Sequence, residues 1–94
     1  MLKNSIDIEE LIEEQVDTKK DNQNNLVLFN DNINSFDHVI FCLTMICDHN
    51  PVQAHQCALI AHNNGKCIIK TGNYLKLEKM MYDLIDSNLT VEIQ

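Results

Sequence analysis

Three observations predict an α+β fold for this chain, a small α/β sandwich of order β-α-α-β-α-β with a three-stranded sheet and helices packed on one face. Short runs rich in strand formers stand at LVLF, KCIIKT and LTVEI, each bounded by amides, Gly or Ser. Between them lie stretches whose apolar residues recur at helical spacing. Each helical stretch is preceded by Ser or Asn, side chains that cap helix starts. With 94 residues there is enough chain for one modest core and too little for two.

The first strand is the apolar run Leu26–Phe29. From Phe36 the positions Val39, Ile40, Leu43, Ile46 and Cys47 follow a helical period, with Ser35 or Asn34 available as N-cap. This helix should stop near Asp48 or His49, because the residue before Pro51 avoids helical angles. Asn50, Pro51 and Gln53 then form a capping-box-like start for a second helix through Ala54, Cys57, Ala58 and Ala61, which Gly65 ends. The run from Lys66 to Thr71 reads as the second strand. Asn73 caps a third helix from about Tyr74 to Asp86, carrying Leu77, Met80, Met81, Leu84 and Ile85 on one face. After a stop at Asn88, LTVEI alternates as a half-exposed last strand.

Residues 1–25 differ from the domain expected over residues 26–94. The segment from Ile6 to Val16 is amphipathic, with Ile8, Leu11, Ile12 and Gln15 at helical spacing, and the tract DTKKDNQNN after it has no apolar residue. The expectation is a flexible acidic arm with a transient helix.

Composition narrows the function. Formal net charge is -7, and the seven basic residues are all lysines. Nucleic acid is therefore not an expected partner, since phosphate backbones are bound largely by clustered Lys and Arg. No apolar run approaches the roughly 20 residues that span a bilayer, so no membrane partner is expected. The start, MLKNSIDIEELIEEQ, lacks a basic region followed by an apolar stretch. The expectation is a cytoplasmic protein whose thiols, at positions 42, 47, 57 and 67, are reduced and serve as small buried apolar groups.

Enzyme chemistry finds little footing. A nucleophilic Cys needs an exposed, stabilised thiolate, and each Cys here falls on an apolar face or in a strand. Zinc is arithmetically possible from His38 and Cys42, four apart, with Cys47, His49 and His62 nearby, and a small zinc-binding domain is one alternative reading. There is no C-x-x-C or H-x-x-x-H pair, the short chelating spacings of structural zinc sites. Neither an enzymatic activity nor a cofactor is expected.

What remains is the polar loop after the first strand. Asn30, Asp31, Asn32 and Asn34 stand between two core elements, and His62 ends the second helix. If the two helices form a hairpin over the sheet, His62 returns to face Asn30–Asn32. Amide carbonyls, a carboxylate and an imidazole beside apolar walls suit a small cation with an apolar appendage, such as a peptide's free α-amino group and first side chain. By residue type alone, the same Asn and Asp also serve as turn formers and caps, and the His as an ordinary helix-end residue.

The segments LVLFNDN, FDHVI and QAHQCALIAHNNGKC, with their spacing from Asn30 to His62 and Gly65, resemble the ClpS adaptor domain. The resemblance covers roughly Leu26 to Ile93 and is looser after Lys70. It implies a non-catalytic adaptor that binds N-degrons, substrates whose first residue is Leu, Phe, Tyr or Trp. Such substrates are handed to a Clp-type AAA+ unfoldase, of ClpA or ClpC type, coupled to the ClpP protease. It implies that Asn30, Asn32 and His62, with Asp31, hold the α-amino group, and that Phe29, Asn34, Phe36, Val39, Ala58, Ala61 and Leu89 line the side-chain pocket. It also implies that the arm engages the unfoldase during delivery. Five positions depart from the family pattern. Asn32 replaces an Asp and so removes a charge, Asn34–Ser35 replaces Thr-Pro, and Ala58 and Ala61 are smaller than usual. The competing class is a non-catalytic interaction module of similar fold that does not read N-termini, such as a relative of the ribosomal stalk's C-terminal domain.

Overall fold

A computed structural model describes residues 24–94. The elements are β1 (Asn24–Phe29), α1 (Phe36–Cys47), α2 (Pro51–Asn64), β2 (Lys66–Gly72), α3 (Tyr74–Asp86) and β3 (Thr90–Ile93). This is the expected β-α-α-β-α-β order. The amphipathic segment expected from Ile6 to Val16 lies outside the described residues.

Side-chain caps start each of the three described helices. The Ser35 hydroxyl accepts from His38 N–H at 3.1 Å, Asn50 Oδ1 from Gln53 N–H at 2.8 Å, and Asn73 Oδ1 from Leu75 N–H at 2.8 Å. Each bond satisfies one of the donors that a helix start leaves unpaired. The stops are left-handed residues: Asp48 at φ 59° after α1 and Gly65 at φ 94° after α2. Gly adopts that conformation without the steric penalty a Cβ brings, and its N–H closes α2 by donating to Ala61 O.

The sheet is antiparallel in the order β2-β1-β3, so the first strand in sequence is the central one. Leu26 and Leu28 alternate onto the helix-covered face, as do Val91 and Ile93 of β3. They pack against Leu43 and Cys47 of α1, Ala54 and Ala61 of α2, and Leu77 and Leu84 of α3. Small side chains on the buried stripe of α2 let that helix approach the sheet closely. The β1–β2 register slips between Leu26 and Val27, a bulge that leaves both Ile69 and Lys70 on the helix side. Ile69 enters the core, while Lys70 Nζ donates to Cys47 O at the end of α1 at 2.9 Å.

Three boundaries differ from the sequence reading, the smallest difference being that β2 runs to Gly72 rather than Thr71. β1 begins at Asn24 rather than Leu26, because Asn25 exchanges two backbone hydrogen bonds with Gln94, both 2.8 Å, and Thr71 Oγ1 donates to Asn25 Oδ1. Backbone pairing is indifferent to side-chain polarity, so a ladder extends past the apolar run when neighbouring strands are long enough. β3 begins at Thr90 rather than Leu89, because Leu89 N–H donates to Leu84 O and closes the end of α3 instead.

Candidate functional site

One backbone hydrogen bond assembles the site. Asn30 N–H donates to Gly65 O at 2.9 Å, fastening the loop after β1 to the turn between α2 and β2. The last turn of α2, which carries His62, is thereby held against the start of that loop. A cavity of about 370 Å³ opens between them. Its lining combines the polar side chains of Asn30, Asp31, Asn32, Asn34 and His62 with the apolar ones of Leu28, Phe29, Phe36, Val39, Ala58 and Ala61.

The loop itself is held by Asp31. Its Oδ1 accepts from the backbone N–H of Ile33 and of Asn34, and its Oδ2 from Asn34 Nδ2, all at 2.9 Å. This is the Asx-type clasp that Asp makes with its own following backbone. Burial raises the Asp31 pKa, but the Asn34 and Ile33 donors, with the nearby His38, outweigh it and hold the carboxyl below the usual value. The Asn34 amide donates a second time, to Asn88 O at 2.8 Å, and so pins the loop to the corner between α3 and β3. Asn88 takes the left-handed conformation there, at φ 73°.

Ten of the eleven residues singled out from sequence line this cavity. Leu89 does not. It is buried in the core beside Leu84, with 4% of its surface exposed, because its N–H is drawn back to the end of α3. Leu28 lines the cavity although sequence reading placed it only in a buried strand. The run LVLF gives no sign that its last turnward core residue borders an opening. Asp31 also differs in detail, since its carboxylate is directed to the loop's own N–H groups and not held open for a ligand.

His62 sits at the mouth, with its ring centroid 5.4 Å from that of Phe36 and the planes at 82°, an edge-on contact. The other histidines have separate roles. His38 Nε2 lies 2.8 Å from Ser87 O and 3.5 Å from Cys42 Sγ, joining α1 to the end of α3. His49 is buried, with Nε2 2.7 Å from Ile69 O. Among the described residues no group of three His, Cys, Asp or Glu side chains converges as a metal site.

Burial raises the thiol pKa of Cys42, pushes that of Cys47 to about 11 and, reinforced by Cys67, that of Cys57 to about 12. Such groups stay protonated at neutral pH and are poor nucleophiles. Among the described residues no helix is long and apolar enough to cross a membrane.

A three-stranded sheet with helices on one face, and a cleft lined by both polar and apolar side chains, defines a small α+β domain with a candidate ligand site. The chain belongs to the ClpS family: the family model described as ATP-dependent Clp protease adaptor protein ClpS matches residues 19–91. ClpS is a family of adaptors for the Clp protease. No curated protein sequence matches the chain. A solved structure, Agrobacterium tumefaciens ClpS2 bound to L-phenylalaninamide, shares the fold with a TM-score of 0.75 at 14% identity, over 79% of this chain and 96% of that one.

Proposed function

We propose that the cleft captures the free α-amino group and first side chain of proteins beginning with a large apolar or aromatic residue. The adaptor then delivers them to a Clp-type AAA+ unfoldase, of ClpA or ClpC type, coupled to ClpP. The observation that carries this reading is that one cavity is lined both by polar groups, Asn30, Asp31, Asn32, Asn34 and His62, and by the apolar groups Phe29, Phe36, Val39, Ala58 and Ala61.

An N-terminal residue presents the same two kinds of surface. Its ammonium group offers hydrogen-bond donors to amide oxygens and to a neutral imidazole, while its side chain removes apolar surface from water. L-phenylalaninamide, the ligand of the A. tumefaciens relative, is a molecule of that kind, with a free amino group beside an aromatic side chain. With Asn32 in place of an Asp, the amino group meets neutral acceptors and the nearby Asp31 carboxylate, whose charge reaches it from the loop clasp. Charge-assisted bonds are roughly twice as strong as neutral ones, so recognition here leans more on the apolar side. Residues 1–23 act in delivery rather than in capture.

Titration with peptides that differ only in acetylation of a leading Phe or Leu tests the reading. Free peptides should bind and acetylated ones should not. Equal binding of both forms rejects it.

A further inference from the structure

His62 is an exposed side chain in the last turn of α2. Among the described residues its ring makes no hydrogen bond, and its ordering contact is the edge-on approach of Phe36. Phe36 in turn approaches two imidazoles. His55 is the second, with centroids 6.4 Å apart and planes at 68°. His55 and His62 are two turns apart on α2, about 10.5 Å along its axis, and the Phe36 ring reaches both. The Phe36 backbone is fixed as the first residue of α1 directly after the Ser35 cap, while its ring is 39% exposed.

From this geometry we infer that Phe36 is a positioning residue for His62: its ring holds the imidazole edge-on at the cavity mouth, so that the ring nitrogens are oriented before a ligand arrives. The inference rests on the amino-terminal reading of the cleft and adds a role to Phe36 beyond that of an apolar wall. A freely rotating imidazole must lose rotamer freedom when it pairs with an ammonium group, whereas one already held by an aromatic neighbour loses less. Aromatic pairs at these distances and angles are mutually attractive beyond the area they bury. The cost of ordering is thus met in the empty protein, and the benefit appears as affinity for the amino group whatever first side chain follows it.

The test has two readouts. In the peptide-free protein, the His62 ring proton resonances carry the ring-current shift of Phe36, and Phe36→Leu should move them towards the values of an unstacked imidazole. In titrations with free peptides beginning with Leu and with Phe, Phe36→Leu should weaken both, with a shared part of roughly two- to tenfold that comes from the lost aromatic pair. That shared part should vanish in the His62→Ala background, where only the loss due to the apolar wall remains. The inference is overturned if the His62 resonances stay in place, or if Phe36→Leu costs as much without His62 as with it, which would make Phe36 a wall only. Equal binding of free and acetylated peptides by the parent would overturn the amino-terminal reading instead. The ring resonances, measured without peptide, would then still decide whether Phe36 holds His62.

Discussion

Replacing Asp31 separates two roles for its carboxylate, as the clasp of the recognition loop and as a counter-charge to a bound ammonium group. In the structure it receives three hydrogen bonds, from Ile33 N–H, Asn34 N–H and Asn34 Nδ2, each 2.9 Å. Net hydrogen bonds contribute about 0.5–1.5 kcal/mol each, and those near the surface sit low in that range because water replaces the lost partner. Asp31→Ala should therefore cost about 1–2 kcal/mol. For a domain of this size that lowers the melting temperature by about 4–8 °C per kcal/mol. Asp31→Asn should cost less, since its Oδ1 still accepts from the two backbone groups while its amide faces the Asn34 amide with no acceptor. Thermal melts and titrations with a free Phe peptide, run on all three proteins, give the comparison. If the clasp is the main role, affinity and stability fall together across the series. Unchanged melting with a collapse of affinity in Asp31→Ala would refute it and make the carboxylate a direct counter-charge. The pH dependence has a definite sign. The folded pKa lies below the ordinary value of 3.8, so the clasp contributes fully above that value and is lost as pH falls through the folded one. The melting advantage of the parent over Asp31→Asn should shrink on acidification through that window.

Further outcomes are expected. His62→Ala should weaken binding of free Phe or Leu peptides by about 1–3 kcal/mol, the cost of leaving a polar partner unpaired. Unchanged affinity in that variant, measured by the same titrations, would count against the role. Deletion of residues 1–23, which spares the whole of β1, should leave melting and peptide affinity near those of the full chain. It should abolish degradation of a Phe-led reporter by a reconstituted unfoldase and ClpP, and normal degradation would remove the segment from delivery.

The fold was legible because local signals agreed. Asn50-Pro51 with Gln53, and Gly65 after Asn64, mark helix ends through backbone sterics and capping that need no tertiary partner. The strand order was not legible, since periodicity reveals a buried face and says nothing about which neighbour sits beside it. For the same reason the extension of β1 to Asn24 was hidden: its partners, Gln94 and Thr71, are remote in sequence. Within the cleft, residue type pointed to Asn30, Asn32 and His62, but not to the engagement of both Asp31 oxygens by the loop. Leu89 shows the opposite failure. A position carried over by resemblance was withdrawn into the core by one backbone bond to Leu84.

The central place of β1 has a consequence for a chain still being synthesised. β1 is made first, yet both of its ladder partners, β2 and β3, come later. A nascent chain that has emerged only through α2 already contains Asn30, Asp31, Asn32 and His62, but it lacks the strand that continues from Gly65 and lies along β1. The tie from Asn30 to Gly65 then has no ladder behind it. Sequence-distant pairings of this kind form late, because loop closure must precede any gain from them. The cleft is thus chemically complete well before it is geometrically formed. On the proposed reading, a ribosome-bound fragment would not capture the N-termini around it, and competence would arrive with closure of the sheet.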